Sequence, residues 1–159
     1  MTHAGYIVFA HGSSVESAND AVRSVARDLA KAGGYEHVVA AFLEGGRPDL
    51  SSAAGDLAAR GISHVVVIPY FLTLGLHLQR DLPKLVGEAR RDHPGLEIEV
   101  TPPLDGHPAM VAALLDRARG SMDQCRTTEH ASAGLPPVSV KPEGRSGPVR
   151  TSDSVCKPS

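Results

Sequence analysis

Two histidines in this 159-residue chain stand where an imidazole can do chemistry. His11 follows the apolar run Tyr6-Ile7-Val8-Phe9-Ala10 and leads into Gly12-Ser13-Ser14. His77 follows Val65-Val66-Val67-Ile68-Pro69, a largely apolar loop Tyr70-Phe71-Leu72-Thr73-Leu74, and Gly75-Leu76. Neutral imidazole is a base near neutral pH and a ligand for Co, Ni, Fe and Zn ions. Glu44 closes Ala41-Phe42-Leu43-Glu44 ahead of two glycines and can serve as a third base or ligand. The β-branched apolar runs read as strands buried on both faces. Each strand then delivers its histidine just past its carboxyl end, which points to one shared site.

Every one of these residues also has a plain structural role open to it. His11 alone fits a loop histidine satisfied by backbone groups, and His77 alone fits a structural imidazole among apolar neighbours. Their matching positions on adjacent strands favour function. A phosphorylated histidine is disfavoured, because Ala10 stands where the histidine phosphatase superfamily has the arginine of its Arg-His-Gly triplet. Glu44 can equally be a solvated loop carboxylate. His107 reads more readily as flanking or capping the last helix than as a ligand, and His3, His37, His64 and His93 as surface histidines. His130 with Cys125 and Cys156 lacks tight ligand spacing. Neither Gly-x-x-x-x-Gly-Lys-Ser/Thr nor Gly-x-Gly-x-x-Gly follows the first strand, so the chemistry needs no nucleotide.

The elements that position these residues follow from periodicity. Ala18, Ala21, Val22, Val25, Ala26, Leu29 and Ala30 make one helical stripe, opened by a Ser13-to-Glu16 capping box and closed by Gly33-Gly34. A second strand spans 37–43. Pro48-Asp49 then opens a helix with Leu50, Ala53, Ala54, Leu57 and Ala58 inward. After His77, Asp81-Leu82-Pro83 reads as cap plus first-turn proline, with Leu82, Leu85, Val86 and Ala89 inward. Leu96, Ile98 and Val100 alternate with Glu97 and Glu99 as in an edge strand with one face wet. Asp105-Gly106-His107 follows, and Pro108 starts a last helix with Met110, Val111, Leu114 and Leu115 inward. The sum is a doubly wound α/β fold with a four-stranded parallel sheet in the order 2-1-3-4. Ligands of such sheets bind where the order reverses, between strands one and three.

From residue 120 to 159 Ser, Thr, Pro and Gly dominate, and this segment reads as a low-complexity, disordered tail behind an α/β domain of residues 1–119. The formal charge of −2 excludes a broad polybasic surface and disfavours nucleic acid as a partner. Two cysteines outside the core imply no disulfide framework and cannot complete a four-thiolate cluster. No apolar run reaches the ~20 residues of a membrane helix, and no signal pattern precedes the first strand, so a cytoplasmic protein is expected.

Four motifs at βα junctions carry a resemblance. Val8-Phe9-Ala10-His11-Gly12-Ser13, Phe42-Leu43-Glu44, Pro69-Tyr70-Phe71-Leu72 with Gly75-x-His77-x-x-x-Asp81-x-Pro83, and Pro103-Leu104-x-Gly106-x-Pro108 resemble the small sirohydrochlorin chelatases of CbiX type. The match spans residues 6 to about 119. The resemblance implies a single chelatase-like lobe, homodimer formation, and ATP-independent insertion of a divalent metal into a tetrapyrrole. It implies His11 and His77 as site histidines, which we take as metal ligands and proton acceptors, with Glu44 as the site glutamate. Ser14 stands where many relatives carry arginine, and Asp105 interrupts the Pro-Leu-Gly run. The expected substrate is sirohydrochlorin or a similar tetrapyrrole, and the expected metal is Co²⁺, with Fe²⁺ and Ni²⁺ as alternatives. No permanent cofactor is expected. Ser13, Ser14, Arg47, Phe71, Leu72 and Arg80 are the candidate substrate contacts, with Lys84 nearby. A non-catalytic metal or tetrapyrrole carrier using the same rim is the alternative function.

Overall fold

The computed structural model describes residues 4–73 and 75–131, apart from the side chains of 76–78 and 121–131. Strands and helices alternate along the chain: β1 (Ala4–Ala10), α1 (Glu16–Gly33), β2 (Val38–Phe42), α2 (Leu50–Ala59), β3 (His64–Pro69), α3 (Leu76–Asp92), β4 (Glu97–Val100) and α4 (Pro108–Ala131). All strand pairs are parallel, in the order β2-β1-β3-β4. The expected order is therefore the observed one, and the reversal lies between β1 and β3. Among the described residues, those up to Asp116 form one compact unit, and those from Arg117 on group separately. No helix among the described residues is long and apolar enough to cross a membrane.

Side-chain alternation divides the core between the two faces of the sheet. Ile7, Phe9, Val65, Val67 and Ile98 meet Leu50, Ala53, Leu57, Leu82 and Val86 from α2 and α3. Val8, Ala10, Ala40 and Phe42 meet Ala26, Val22 and Leu29 of α1 on the opposite face. Fully burying a side chain such as Phe9 stabilises by roughly 1.5–3 kcal/mol, which makes β1 the best-anchored strand. At the edges, the Arg90 guanidinium donates to the Ile98 carbonyl of β4. On β2, the Phe42 amide donates to the Pro48 carbonyl at 2.9 Å.

Several local expectations are corrected. Helix α1 starts at Glu16 with Val15 as its N-cap and no side-chain cap bond, so the Ser13–Glu16 capping box does not form. The Ser13 hydroxyl instead accepts from the Val15 amide at 3.0 Å. Ala18 and Ala21 are exposed, while Asn19 faces inward. Strand β3 is buried on the α2/α3 face only, since His64, Val66 and Ile68 are half-buried. Helix α3 begins at Leu76 behind Gly75, not at Asp81, and runs through Pro83. Pro83 removes one amide donor, but the inward Leu82, Val86 and Ala89 hold the helix against the sheet. Val100, expected inward, is 38% exposed. Of the apolar residues expected inward on α4, Met110 is half-buried but Val111 is 61%, Leu114 68% and Leu115 50% exposed. Residues 120–131 are helical rather than irregular, as Ala, Met, Gln, Arg and Glu allow without an apolar stripe. The rest of the expected tail lies outside the described residues.

Helix α2 is capped by Asp49, whose carboxylate accepts from the Ser52 amide at 2.8 Å. That hydrogen bond, with a further one from the Ser52 side chain and the charge of Arg47, holds Asp49 below the usual carboxylate pKa. Replacing Asp49 with Ala should lower stability by about 1 kcal/mol in urea unfolding at neutral pH. Because the folded-state pKa is the lower one, the stabilisation is complete above roughly pH 5. The gap between the two proteins should close as pH falls through the depressed pKa.

Candidate functional site

The parallel pairing of β1 with β2 continues past the last strand residues. The Leu43 amide donates to the Ala10 carbonyl and the Glu44 amide to the His11 carbonyl, both at 2.9 Å. Residues 11 and 44 thereby become neighbours at the carboxyl end of the sheet. Gly12 turns the chain with φ +87°, and a Cβ there would lie 1.9 Å from the Glu44 carbonyl oxygen. Gly45, with φ +64°, presses on Ser13 in the same way, at 2.7 Å. Only backbones without side chains can lie this close, which is the physical reason for glycine after His11 and after Glu44.

This crossing brings the His11 Nε2 to 3.4 Å from a Glu44 carboxylate oxygen. The two side chains are 59% and 70% exposed, open to an incoming ion. A divalent ion with bonds of about 2.1 Å to imidazole nitrogen and carboxylate oxygen spans about 3.4 Å between them at a tetrahedral angle. The separation of the pair equals that span, and it is also that of a direct imidazole–carboxylate contact. Among the described residues no third His, Cys, Asp or Glu completes a cluster with them.

A polar network missed by the sequence reading lies directly beneath. Asn19 is 1% exposed. Its carboxamide oxygen accepts from the Ser13 amide at 3.0 Å, and its nitrogen donates to the carbonyls of Ser13 at 2.9 Å and Gly45 at 3.0 Å. Arg23 extends the network, pairing with Glu16 at 2.6 Å and Asp20 at 2.8 Å and donating to the Arg47 carbonyl at 3.0 Å. Its guanidinium also lies over the Phe42 ring, 5.3 Å from the centroid. Hydrogen bonds from Arg23 and then Asn19 lower the Glu16 pKa, and those to Glu16 and Asp20 raise that of Arg23. Glu16, Arg23, Phe42 and Arg47 wall the groove beside Glu44. The one available signal was a polar residue inside an otherwise apolar helical stripe.

The other candidates are placed as follows. His77 lies in the first turn of α3, and its side chain is outside the described residues. Phe71 is half-buried and meets Phe9 edge-on at 6.0 Å, so it belongs to the core more than to an open ring platform. Leu72 is 67% exposed. Arg47 pairs with Asp49 at 3.2 Å, and Arg80 and Ser14 are exposed. His107 caps α4, its Nδ1 accepting from the Ala109 amide at 3.2 Å. His93 bonds the Ser51 carbonyl at 3.0 Å, and His64 sits between Glu97 and Glu99 at 3.3 and 3.6 Å. A further groove between α3 and β4 contains none of the candidate site residues.

Comparison with known proteins adds to this geometry. The model of the CbiX family matches residues 5–121. The chain belongs to the CbiX family. This CbiX-family chain is 35% identical to a sirohydrochlorin cobaltochelatase of Saccharolobus solfataricus over 101 residues, covering 61% of this chain and 77% of the relative. It is 28% identical to the chloroplastic sirohydrochlorin ferrochelatase of Arabidopsis thaliana over 128 residues, 76% of this chain but only 57% of that one. A solved structure from Marinobacter aquaeolei VT8, described as a CbiX protein of cobalamin biosynthesis, superposes with TM-score 0.68 at 24% identity, over 76% of this chain and 98% of that one. The sirohydrochlorin chelatase SirB of Bacillus subtilis subspecies spizizenii, in complex with cobalt, also gives 0.68 at 20% identity, over 74% of this chain and 50% of that one. Both likenesses are of fold. The matched part of the chain thus spans nearly all of the first and about half of the second.

The loop crossing can be tested by contrast between two glycines. Gly12→Ala meets both a left-handed backbone and the Glu44 carbonyl, and should cost about 2–4 kcal/mol. Gly61 has φ +83° but open space around it, so Gly61→Ala should cost only about 1–2 kcal/mol. Urea unfolding of both variants checks the difference.

Proposed function

We propose that this protein is an ATP-independent chelatase that inserts a divalent metal, Co²⁺ first with Fe²⁺ and Ni²⁺ as alternatives, into sirohydrochlorin or a similar tetrapyrrole. The observation that carries the reading is the exposed His11–Glu44 pair, 3.4 Å apart at the carboxyl end of β1 and β2. Kinship with cobaltochelatases and ferrochelatases of sirohydrochlorin supports the choice of substrate. The lobe responsible is residues 1–119, consistent with a family match ending at residue 121. The same reading places the reaction in the cytoplasm.

Metal insertion exchanges one divalent ion for two pyrrole protons. In this reading His11 and His77 hold the ion, and Glu44 beside His11 accepts a proton as a ring nitrogen takes over the metal. An imidazole–carboxylate set has intermediate affinity, which suits an ion that must leave again. The departing protons pass to water through side chains that are already solvent-exposed. The substrate's carboxylates need donors at the same rim. Helices α1 and α3 start without a side-chain cap bond, and helix N-termini of this kind can receive such anions. Arg80, Ser13, Ser14 and Leu72 are the adjoining contacts, with Arg47 shared with Asp49. Phe71 shapes the loop from beneath.

We further propose that two copies associate into a homodimer. The support is the exposed apolar stripe Val111, Leu114 and Leu115, together with a match that spans only half of the SirB chain. Light scattering should give twice the chain mass, and Leu114→Glu should shift it toward one.

The function is tested by following sirohydrochlorin absorbance with Co²⁺, Ni²⁺ and Fe²⁺, with and without the protein. Many turnovers under excess substrate are expected, whereas one equivalent converted per chain would indicate a carrier. The His11→Ala/His77→Ala protein should keep its far-UV circular dichroism and lose metal insertion. Near-normal turnover by that variant would refute the assignment.

A further inference from the structure

Asn19 is the only buried polar side chain among the described residues. It occupies an inward position of α1, where alanine would favour the helix and cost no desolvation. Its hydrogen bonds reach beyond α1 into both loops of the site. One carboxamide binds the amide and carbonyl of Ser13, two residues after His11, and the carbonyl of Gly45, next after Glu44. It also donates to the Glu16 carboxylate at 3.2 Å. The backbone bond between Glu44 and His11 brings the two residues side by side. The turns that follow them, and hence the separation of imidazole and carboxylate, are held by Asn19.

We propose that Asn19 is a positioning residue for metal transfer, clamping the two loops so that His11 and Glu44 keep the bite of a metal chelate. This rests on the chelatase reading above. Metal–ligand distances tolerate only about 0.2 Å of error, so a loop shift too small to unfold the protein is enough to spoil the pair. Asn19 is buried beneath the loops and acts through Glu44 and His11. Its amide donors are essential to the role. A carboxylate at the same place still accepts from the Ser13 amide but has nothing to donate to the Gly45 carbonyl.

The test is a double-mutant cycle on Co²⁺ insertion into sirohydrochlorin, with Asn19→Leu made alone and in a Glu44→Gln background. Alone, it should lower kcat/KM by about 10–100-fold, as loss of a ligand-orienting group does, and alter the visible absorption of bound Co²⁺. In the Glu44→Gln background the further loss should be no more than about 3-fold, since the pair is already broken. If Asn19→Leu does not fold, Asn19→Asp, of nearly equal volume, replaces it with the same expectation. Equal losses in both backgrounds, an unchanged Co²⁺ spectrum, or no effect of Glu44→Gln would overturn the proposal. His11→Ala, run alongside, separates the two levels. If it leaves turnover intact the chelatase reading falls with the inference, and if it abolishes turnover without Asn19–Glu44 coupling only the inference falls.

Discussion

The loop after β1 lies backbone against backbone on the loop after β2, with Gly12 facing the Glu44 carbonyl and Gly45 facing Ser13. Any side chain at Gly12 would force the strands' carboxyl ends apart. Because the peptide ladder runs on into these loops, the site inherits the rigidity of the sheet. An exposed histidine and an exposed glutamate would otherwise sample many rotamers. Here the main chain sets the two residues side by side, and the core under β1 and β2 keeps their backbones in place.

The same crossing explains the polar layer beneath it. Two loops in backbone contact leave carbonyls and amides that water cannot easily reach, and each must find a partner. Asn19 supplies partners on both sides, and Arg23 covers the Arg47 carbonyl while leaning on Phe42. No buried side-chain nitrogen or oxygen among the described residues lacks a hydrogen bond. The site is thus open to solvent above and fully paired below.

The sheet order and the core residues of α2 were legible because strand runs and helical stripes have different periods, and His11 and Glu44 because each follows such a run. Asn19 was not, since a hydrophobic-stripe reading assigns inward positions to apolar residues and takes α1 from Ala18 and Ala21. The start of α3 was misplaced because Pro83 carries a strong first-turn preference. The helix instead starts upstream at Leu76 and carries Pro83 at an exposed position. For α4 the sequence shows an apolar stripe but cannot say what covers it. Within this chain Leu114 stays exposed.

Both margins of the sheet carry an obstruction, the Arg90 guanidinium on the Ile98 carbonyl of β4 and the returning Pro48 carbonyl on the Phe42 amide of β2. A foreign strand seeking to lengthen the sheet would have to displace one of them first. Copies of this chain are thereby steered away from ribbon-like stacking and toward contacts made through helices, which keeps a crowded population of molecules from zipping together along their rims.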